Sequence, residues 1–131
     1  MTRDSQLALA KNTPFFRHLG IEVVEAKDGY AKLRLDFKDY LAHPFGYFHG
    51  GALASLADSA GINAVFSVLT DKEKALTLEM KINYLRPVKE VVVYAEGRVI
   101  HKGRKSAVSE VDVRTGEGEL VAKAIVTCAI S

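Results

Sequence analysis

Residues 40–70 read YLAHPFGYFHGGALASLADSAGINAVFSVLT, and this stretch decides the fold. The whole chain is 26% charged, yet the stretch contains a single Asp, Glu, Lys or Arg, namely Asp58. From residue 50 onwards the residues are mostly Ala, Leu, Val, Ile and Phe, which predicts a helix over 50–69 that is apolar on nearly all sides. Asp58 leaves no uncharged span of ~20 residues that could cross a membrane. We therefore expect a core helix that is enclosed by a sheet and carries one carboxylate in its middle.

The composition predicts one globular domain over residues 1–131, in which 48% of the residues are hydrophobic. The net charge of +2 is too small to indicate nucleic-acid binding, but it suits an anionic small ligand. Cys128 is the only cysteine, which excludes an intrachain disulfide or a cysteine metal cluster. The first residues, MTRDSQLALAKN, contain no apolar signal-peptide core, so the expected location is the cytoplasm.

Alternating apolar and polar residues predict about six strands around the helix. The strands are expected over residues 21–26, 30–37, 76–84, 91–101, 104–114 and 120–130, and a short helix over 4–12 in the N-terminal segment 1–13. In the third of these strands Leu76, Leu78 and Met80 share one face, an alternation that is typical of a strand with one buried face.

The order of these elements is β-β-α-β-β-β-β, and short turns between consecutive strands predict antiparallel neighbours. The expected fold class is α+β, with an antiparallel sheet of about six strands wrapped around one long central helix. A single helix covers only part of such a sheet and leaves its edges open. We therefore expect a homodimer that pairs sheet edges.

The sequence His49-Gly50-Gly51 at the predicted helix start has a direct chemical meaning. The first N–H groups of a helix lack intrahelical acceptors, and the helix dipole makes this end electropositive. Glycines leave these amides open to a ligand, so they could bind an anion or a carbonyl oxygen that gains negative charge. Asp58 follows roughly two and a half turns later and could activate a nucleophile, if the ligand lies beside the helix.

Each of these features also has a plain structural explanation. Paired glycines occur wherever a turn is tight, and His49 could be a hydrogen-bonded structural histidine. Asp58 is harder to explain in this way, because an isolated carboxylate in an apolar helix is costly unless it is paired or functional.

The motifs together resemble a known family. GYFHGG at 46–51 and LADSA at 56–60 are similar to the signature of hotdog-fold acyl-CoA thioesterases of the phenylacetate-pathway (PaaI) type, and so are TLEMKINYLRPV at 77–88 and KGRK at 102–105. The resemblance covers roughly residues 14–130. It implies the hotdog fold, in which a sheet wraps a central helix, and dimers that pair edge to edge and often associate into tetramers.

The resemblance also implies roles for individual residues. Asp58 matches the catalytic acid, which acts as a general base on water or as a nucleophile on the thioester carbon. Gly50, with His49 and Gly51 beside it, matches the amide that binds the oxyanion. Thr77 matches a hydroxyl that orients the water or the carboxylate, across the dimer interface.

Two basic segments match those that contact coenzyme A, whose phosphates are anionic. Their residues are Arg86, Lys89, Lys102, Gly103, Arg104 and Lys105, and a solvated charged turn is the alternative explanation for each cation. One position departs from the family, because His43 stands where many relatives carry Asn. An imidazole can still donate one hydrogen bond, and it could add a pH dependence near neutrality. The acid at 58 is Asp, as in the phenylacetate-type branch, whereas Glu is usual in the hydroxybenzoyl- and dihydroxynaphthoyl-type branch.

The resulting hypothesis is an enzyme that hydrolyses an acyl- or aryl-CoA thioester to the acid and free coenzyme A. The apolar cleft along 45–48 would take the acyl group. No metal or cofactor is expected, because no His, Cys and Asp cluster has ligand spacing. One alternative is a hotdog module that binds acyl-CoA without turnover. Another is a hydratase or dehydratase, which would use a catalytic His on a different loop motif.

Overall fold

The computed structural model describes residues 11–131. The helix expected over 4–12 therefore lies outside the described range, except for its last two residues. The elements are α1 (Pro14–Leu19), β1 (Ile21–Lys27), β2 (Tyr30–Leu35), a 3-10 turn (Asp39–Leu41), α2 (Gly50–Phe66), β3 (Ala75–Tyr84), β4 (Val93–Lys102), β5 (Ser106–Thr115) and β6 (Leu120–Ile130). The strands form one antiparallel sheet in the order β1-β2-β4-β5-β6-β3. This confirms the predicted fold class and element order.

The helix α2 ends at Phe66, three residues before the predicted end. Ser67 is buried there, and its hydroxyl donates to the carbonyl oxygen of Ala64 and accepts from the N–H of Gly29. Gly29 belongs to the turn between β1 and β2, where Asp28 and Gly29 both have positive φ angles, as an Asp-Gly hairpin turn requires. The side chain of Ser67 therefore ties the end of the helix to the first hairpin.

The core lies between α2 and the concave face of the sheet. Leu56, Ala57, Ala60 and Ala64 of α2 are fully buried, and the fully buried valines of β5 and β6 face them. Small side chains on this side of the helix allow its backbone to approach the sheet closely, so the sheet can curve around the helix.

In strand β3 the prediction that Leu76, Leu78 and Met80 share one buried face is wrong. Leu76 and Leu78 are 74% and 68% exposed, because a β-bulge between Thr77 and Glu79 shifts the register against β6. One extra residue in a strand moves the following side chains to the other face. Thr77 consequently faces the helix, while Met80 further along packs against the core.

The pairing of the strands defines two ends of the sheet. At the Gly50 end, β3 ends at Tyr84 and β4 begins, and Tyr84 contacts the start of α2. At the Lys102 end, β3 begins at Ala75 and β4 ends at Lys102. The ten residues of β3 separate these ends by about 33 Å, at ~3.3 Å per residue.

Candidate functional site

The start of α2 is capped by a histidine. His49 is the N-cap residue, and its Nδ1 atom accepts a hydrogen bond from the N–H of Gly51 at 2.8 Å. The Gly51 amide is therefore occupied, which corrects the expectation that the amides of both glycines are open to a ligand. The N–H of Gly50 donates to no acceptor within residues 11–131. This leaves the Gly50 amide as the donor that a ligand oxygen could reach.

Tyr84 covers Gly50, a contact that the sequence analysis missed. Its hydroxyl donates to the carbonyl oxygen of Gly50 at 2.8 Å, and its ring lies where a Cβ atom on Gly50 would point. Tyr84 is the last residue of β3, and Leu85 separates it from the Arg86-Pro87 pair. An aromatic residue at a strand end is only a weak indication of a functional role. Nothing in the sequence relates Tyr84 to a helix start 34 residues earlier.

His43 is held by its own loop. Its Nδ1 atom accepts from the N–H of Phe45 at 2.9 Å, and its ring lies 5.3 Å from that of Tyr47, centroid to centroid. With Nδ1 acting as an acceptor, Nε2 carries the proton of the neutral imidazole. In this tautomer His43 can donate one hydrogen bond from Nε2.

A cavity of about 290 Å³ lies at the Gly50 end. It is lined by His43, Tyr47, Phe48, Gly50, Leu53, Tyr84, Leu85, Arg86, Pro87 and Val88. Of the aromatic residues at 45–48, Tyr47 and Phe48 line this cavity, whereas Phe45 is 86% exposed and lies outside the lining. The cavity combines apolar walls with the free Gly50 amide, and such walls suit an acyl group.

The acid Asp58 is partnered by a hydroxyl. Thr77 donates from Oγ1 to Oδ1 of Asp58 at 2.7 Å, and both side chains belong to the same chain. Thr77 therefore holds the carboxylate of its own chain, and its expected role across a dimer interface stays a prediction. Asp58 is half-buried, and its Oδ2 atom accepts no hydrogen bond from the described residues. One carboxylate oxygen is thus held in place, and the other is left for a ligand or a water.

Cys128 lies directly opposite Thr77 in the pairing of β3 with β6. It is fully buried, and this burial raises the pKa of its thiol to about 11, with the negative charge of Asp58 acting in the same direction. The thiol is therefore neutral at physiological pH, and it forms part of the wall behind the Thr77–Asp58 pair.

Within one chain, the acid and the amide lie far apart. Asp58 follows Gly50 by eight positions on α2, which corresponds to about 12 Å along the helix axis. A donor to a carbonyl oxygen and a base that serves the adjacent carbon must each lie within about 3 Å of their target atoms. A single copy of α2 therefore cannot present both groups to the same carbonyl.

The predicted coenzyme A contacts divide between the two ends of the sheet. Arg86 pairs with Glu119 at 3.3 Å at the Gly50 end, and Lys102 pairs with Glu73 at 3.3 Å at the Lys102 end. A phosphate that reaches either cation would compete with its carboxylate partner. Lys89 follows Arg86, whereas Gly103, Arg104 and Lys105 follow Lys102. Within the described chain, Lys89, Arg104 and Lys105 form no ion pair.

Two further kinds of feature are absent from the described residues. No group of three or more His, Cys, Asp or Glu side chains among residues 11–131 could hold a metal ion. In the same part of the chain, no helix has the length and apolarity needed to cross a membrane.

Comparison with known proteins supports the predicted resemblance. The thioesterase superfamily matches residues 45–122. The chain is 34% identical over 96 residues to a 1,4-dihydroxy-2-naphthoyl-CoA hydrolase of Listeria monocytogenes, a match that covers 72% of this chain and 77% of that protein.

Solved structures agree with this assignment. A thioesterase from Haemophilus influenzae superposes with a TM-score of 0.88 at 28% identity, covering 100% of this chain and 91% of the other. A mutant of the phenylacetic acid degradation protein PaaI from Thermus thermophilus gives a TM-score of 0.82 at 30% identity, covering 88% and 97%. The predicted hotdog fold and PaaI-like resemblance are confirmed. The chain therefore belongs to the thioesterase superfamily, and it is a thioester hydrolase.

Proposed function

We propose that this protein hydrolyses an acyl- or aryl-CoA thioester to the free acid and coenzyme A. The observation that carries the proposal is the Thr77–Asp58 hydrogen bond, which holds a half-buried carboxylate in place on an otherwise apolar helix. The hydrolase from Listeria monocytogenes is named for a CoA thioester, which supports this class of substrate.

The chemistry follows from the two polar groups. As a general base, Asp58 takes a proton from water while the water oxygen bonds to the thioester carbon, and the carbonyl oxygen becomes an oxyanion. The Gly50 amide donates to this oxyanion. When the C–S bond breaks, the sulfur leaves with the electron pair and receives the proton from Asp58. In the alternative route Asp58 attacks the carbon itself, and the C–S bond breaks to release coenzyme A as the thiolate. Water then hydrolyses the resulting anhydride to the free acid and the Asp58 carboxylate, and a proton from this step ends on the thiolate.

We further propose that each active site takes Asp58 from one subunit and Gly50 from the other. The separation of about 12 Å along one helix supports this arrangement. The outer edge of β3 pairs with no strand of the described chain, and it exposes Leu76 and Leu78, which makes it suitable for pairing with a second copy. A twofold axis beside the middle of the outer edge of β3 would place the β3 strands of two subunits next to each other. Thr77 of one subunit would then lie close to Tyr84 of the other.

The same twofold arrangement explains why the basic residues expected to contact coenzyme A lie at opposite ends of the sheet within one chain. It would place Arg86 and Lys89 of one subunit near Lys102, Arg104 and Lys105 of the other. One coenzyme A could then contact both basic segments, since its phosphates lie at the far end from the thioester. The assembly proposed is a homodimer, or a homotetramer built from two such dimers.

The test is a free-thiol assay over a panel of acyl- and aryl-CoA thioesters. Asp58→Asn keeps the size of the side chain but removes the base, so we expect the rate of thiol release to fall at least about 100-fold. Asp28→Asn makes the same change in the exposed turn between β1 and β2, and should leave the rate unchanged.

The outcomes of this assay separate the candidate functions. Equal rates in the wild type and in Asp58→Asn would remove Asp58 from the mechanism. Tight binding of acyl-CoA with no thiol release by the wild type would instead favour a non-catalytic binding module.

A further inference from the structure

The peptide group that joins Gly50 to Gly51 is held at both of its polar atoms. Its N–H, on Gly51, donates to Nδ1 of His49, and its carbonyl oxygen, on Gly50, accepts from the hydroxyl of Tyr84. A peptide group is planar and rigid, so two such contacts on opposite sides set the orientation of the whole plane.

The preceding peptide group, which carries the Gly50 N–H, is also fixed. Its carbonyl oxygen, on His49, accepts from the N–H groups of Ala52 and Leu53 at 3.0 and 3.3 Å. The two peptide groups are linked only through the Cα atom of Gly50. A glycine allows more rotation about φ and ψ there than any other residue. Holding the second peptide plane removes this freedom and sets the direction of the Gly50 N–H.

The ring of Tyr84 fills the space beside the Cα atom of Gly50. A Cβ atom on Gly50 would lie 3.3 Å from Cζ and 3.4 Å from the hydroxyl oxygen of Tyr84. A side chain at position 50 would therefore require the ring of Tyr84 to move, whereas the φ angle of Gly50, which is not in the left-handed region, does not itself require glycine. Tyr84 and Gly50 also line the same cavity, together with His43.

We propose that Tyr84 is a positioning residue for the oxyanion-binding amide, in that its hydroxyl holds the Gly50–Gly51 peptide so that the Gly50 N–H stays aimed into the cavity. This inference rests on the proposed function. Tyr84 is 50% exposed at the end of an edge strand, where a neutral hydrogen bond adds little to global stability. The benefit of a preoriented donor appears instead in the transition state, where negative charge develops on the carbonyl oxygen.

The first test is Tyr84→Phe, which keeps the ring and removes the hydroxyl. We expect kcat to fall by about five-fold, the effect of one neutral hydrogen bond, with KM within about two-fold of wild type and an unchanged melting temperature. The control is Tyr94→Phe, which removes a hydroxyl that accepts from Arg34 on the sheet, and its kcat should equal that of the wild type. A rise in KM without a change in kcat would overturn the positioning role.

A second measurement does not depend on turnover. In isotope-labelled full-length protein, the ¹³C resonance of the Gly50 carbonyl and the ¹⁵N resonance of Gly51 should move in Tyr84→Phe and remain in place in Tyr94→Phe. Unmoved resonances would show that Tyr84 does not hold this peptide and would overturn the inference. Moved resonances with a wild-type kcat would overturn it as well, because the contact would then be without effect on the reaction.

The two proposals fail in different ways. A wild type that releases no thiol from any member of the panel would remove the proposed function, and the positioning role with it, even with moved resonances. A wild type that hydrolyses thioesters, together with a Tyr84→Phe variant of equal kcat, would remove the role of Tyr84 alone.

Discussion

Asp58 is the only charged residue between residues 40 and 70, and its surroundings explain how the core helix tolerates it. Its side chain is half-buried, so water still solvates part of the carboxylate. The hydroxyl of Thr77 satisfies the oxygen that is turned towards the sheet. A buried carboxylate without such a partner would be expected to cost several kcal/mol.

The hydroxyl of Thr77 should matter for the rate. Thr77→Val keeps the shape of the side chain but removes the donor to Asp58, so we expect kcat for thioester hydrolysis to fall by about ten-fold. Thr77→Ser keeps the hydroxyl and should retain most of the activity. Steady-state kinetics of the two variants would decide the matter, and equal loss in both would show that packing, rather than the hydrogen bond, is responsible.

Cys128 predicts a pH dependence of stability. Burial raises the pKa of its thiol to about 11 in the folded protein, above its ordinary value near 9. The unfolded chain therefore loses this proton first, and the free energy of unfolding should fall as the pH rises from about 9 towards 11. Denaturant unfolding at about pH 7.5 and about pH 10 would measure this fall.

The matched control for the thiol is Cys128→Ser, which has a similar size but does not titrate in this range. Its stability should change less between the two pH values than that of the wild type. Tyr30, whose pKa burial and the hydrogen bond to Glu96 raise to about 12, contributes equally in both proteins. An identical pH dependence in the two proteins would contradict the assignment to Cys128.

At the scale of elements, the close approach of α2 to the sheet depends on two glycines. A Cβ atom on Gly97 of β4 would lie 2.5 Å from the carbonyl oxygen of Ala60, and one on Gly61 of α2 would lie 2.6 Å from Cγ2 of Val126. The first of these contacts is with helix backbone, which cannot move without displacing the helix. Glycine at 97 therefore sets the distance between α2 and the sheet.

Gly97→Ala should destabilise the protein by about 1–3 kcal/mol or more, because a methyl group must force the helix away from β4. Gly103→Ala is the control for folding, since a Cβ atom there meets nothing closer than 3.5 Å. Thermal unfolding of both variants would test this. A melting temperature of Gly97→Ala equal to that of Gly103→Ala would show that the helix and the sheet separate easily.

At the scale of the whole molecule, the proposed site shared between two subunits predicts complementation between inactive subunits. Asp58→Asn removes the acid. Gly50→Pro removes the amide donor but keeps a residue that is favoured at the first position of a helix. Each variant alone should be inactive. A heterodimer of the two contains one site with an intact Asp58 and an intact Gly50, and a second site with neither.

Purified heterodimers, isolated with two different affinity tags, should therefore show about half of the wild-type activity per dimer. If the acid and the amide of one chain acted together, every site in the heterodimer would be defective and no activity would return. Analytical ultracentrifugation of the wild type would establish whether such dimers associate further into tetramers.

The sequence by itself determined the elements of this protein and singled out the residues of its candidate site. The apolar run after His49 and the alternation in the six strands predicted the helix, the sheet and their order, because these patterns follow the periods of local backbone structure. The unusual isolation of Asp58 and the glycines at the helix start likewise stand out in the sequence, since they depend on composition within a short window.

The tertiary structure decided which atoms are free to act. The bulge in β3 turned Leu76 outwards and Thr77 towards Asp58, although simple alternation predicted a different face. The cap formed by His49 occupied the Gly51 amide, and the end of β3 placed Tyr84 against Gly50. These contacts join residues through strand register and side-chain direction, and neither is encoded in the local periodicity of the sequence.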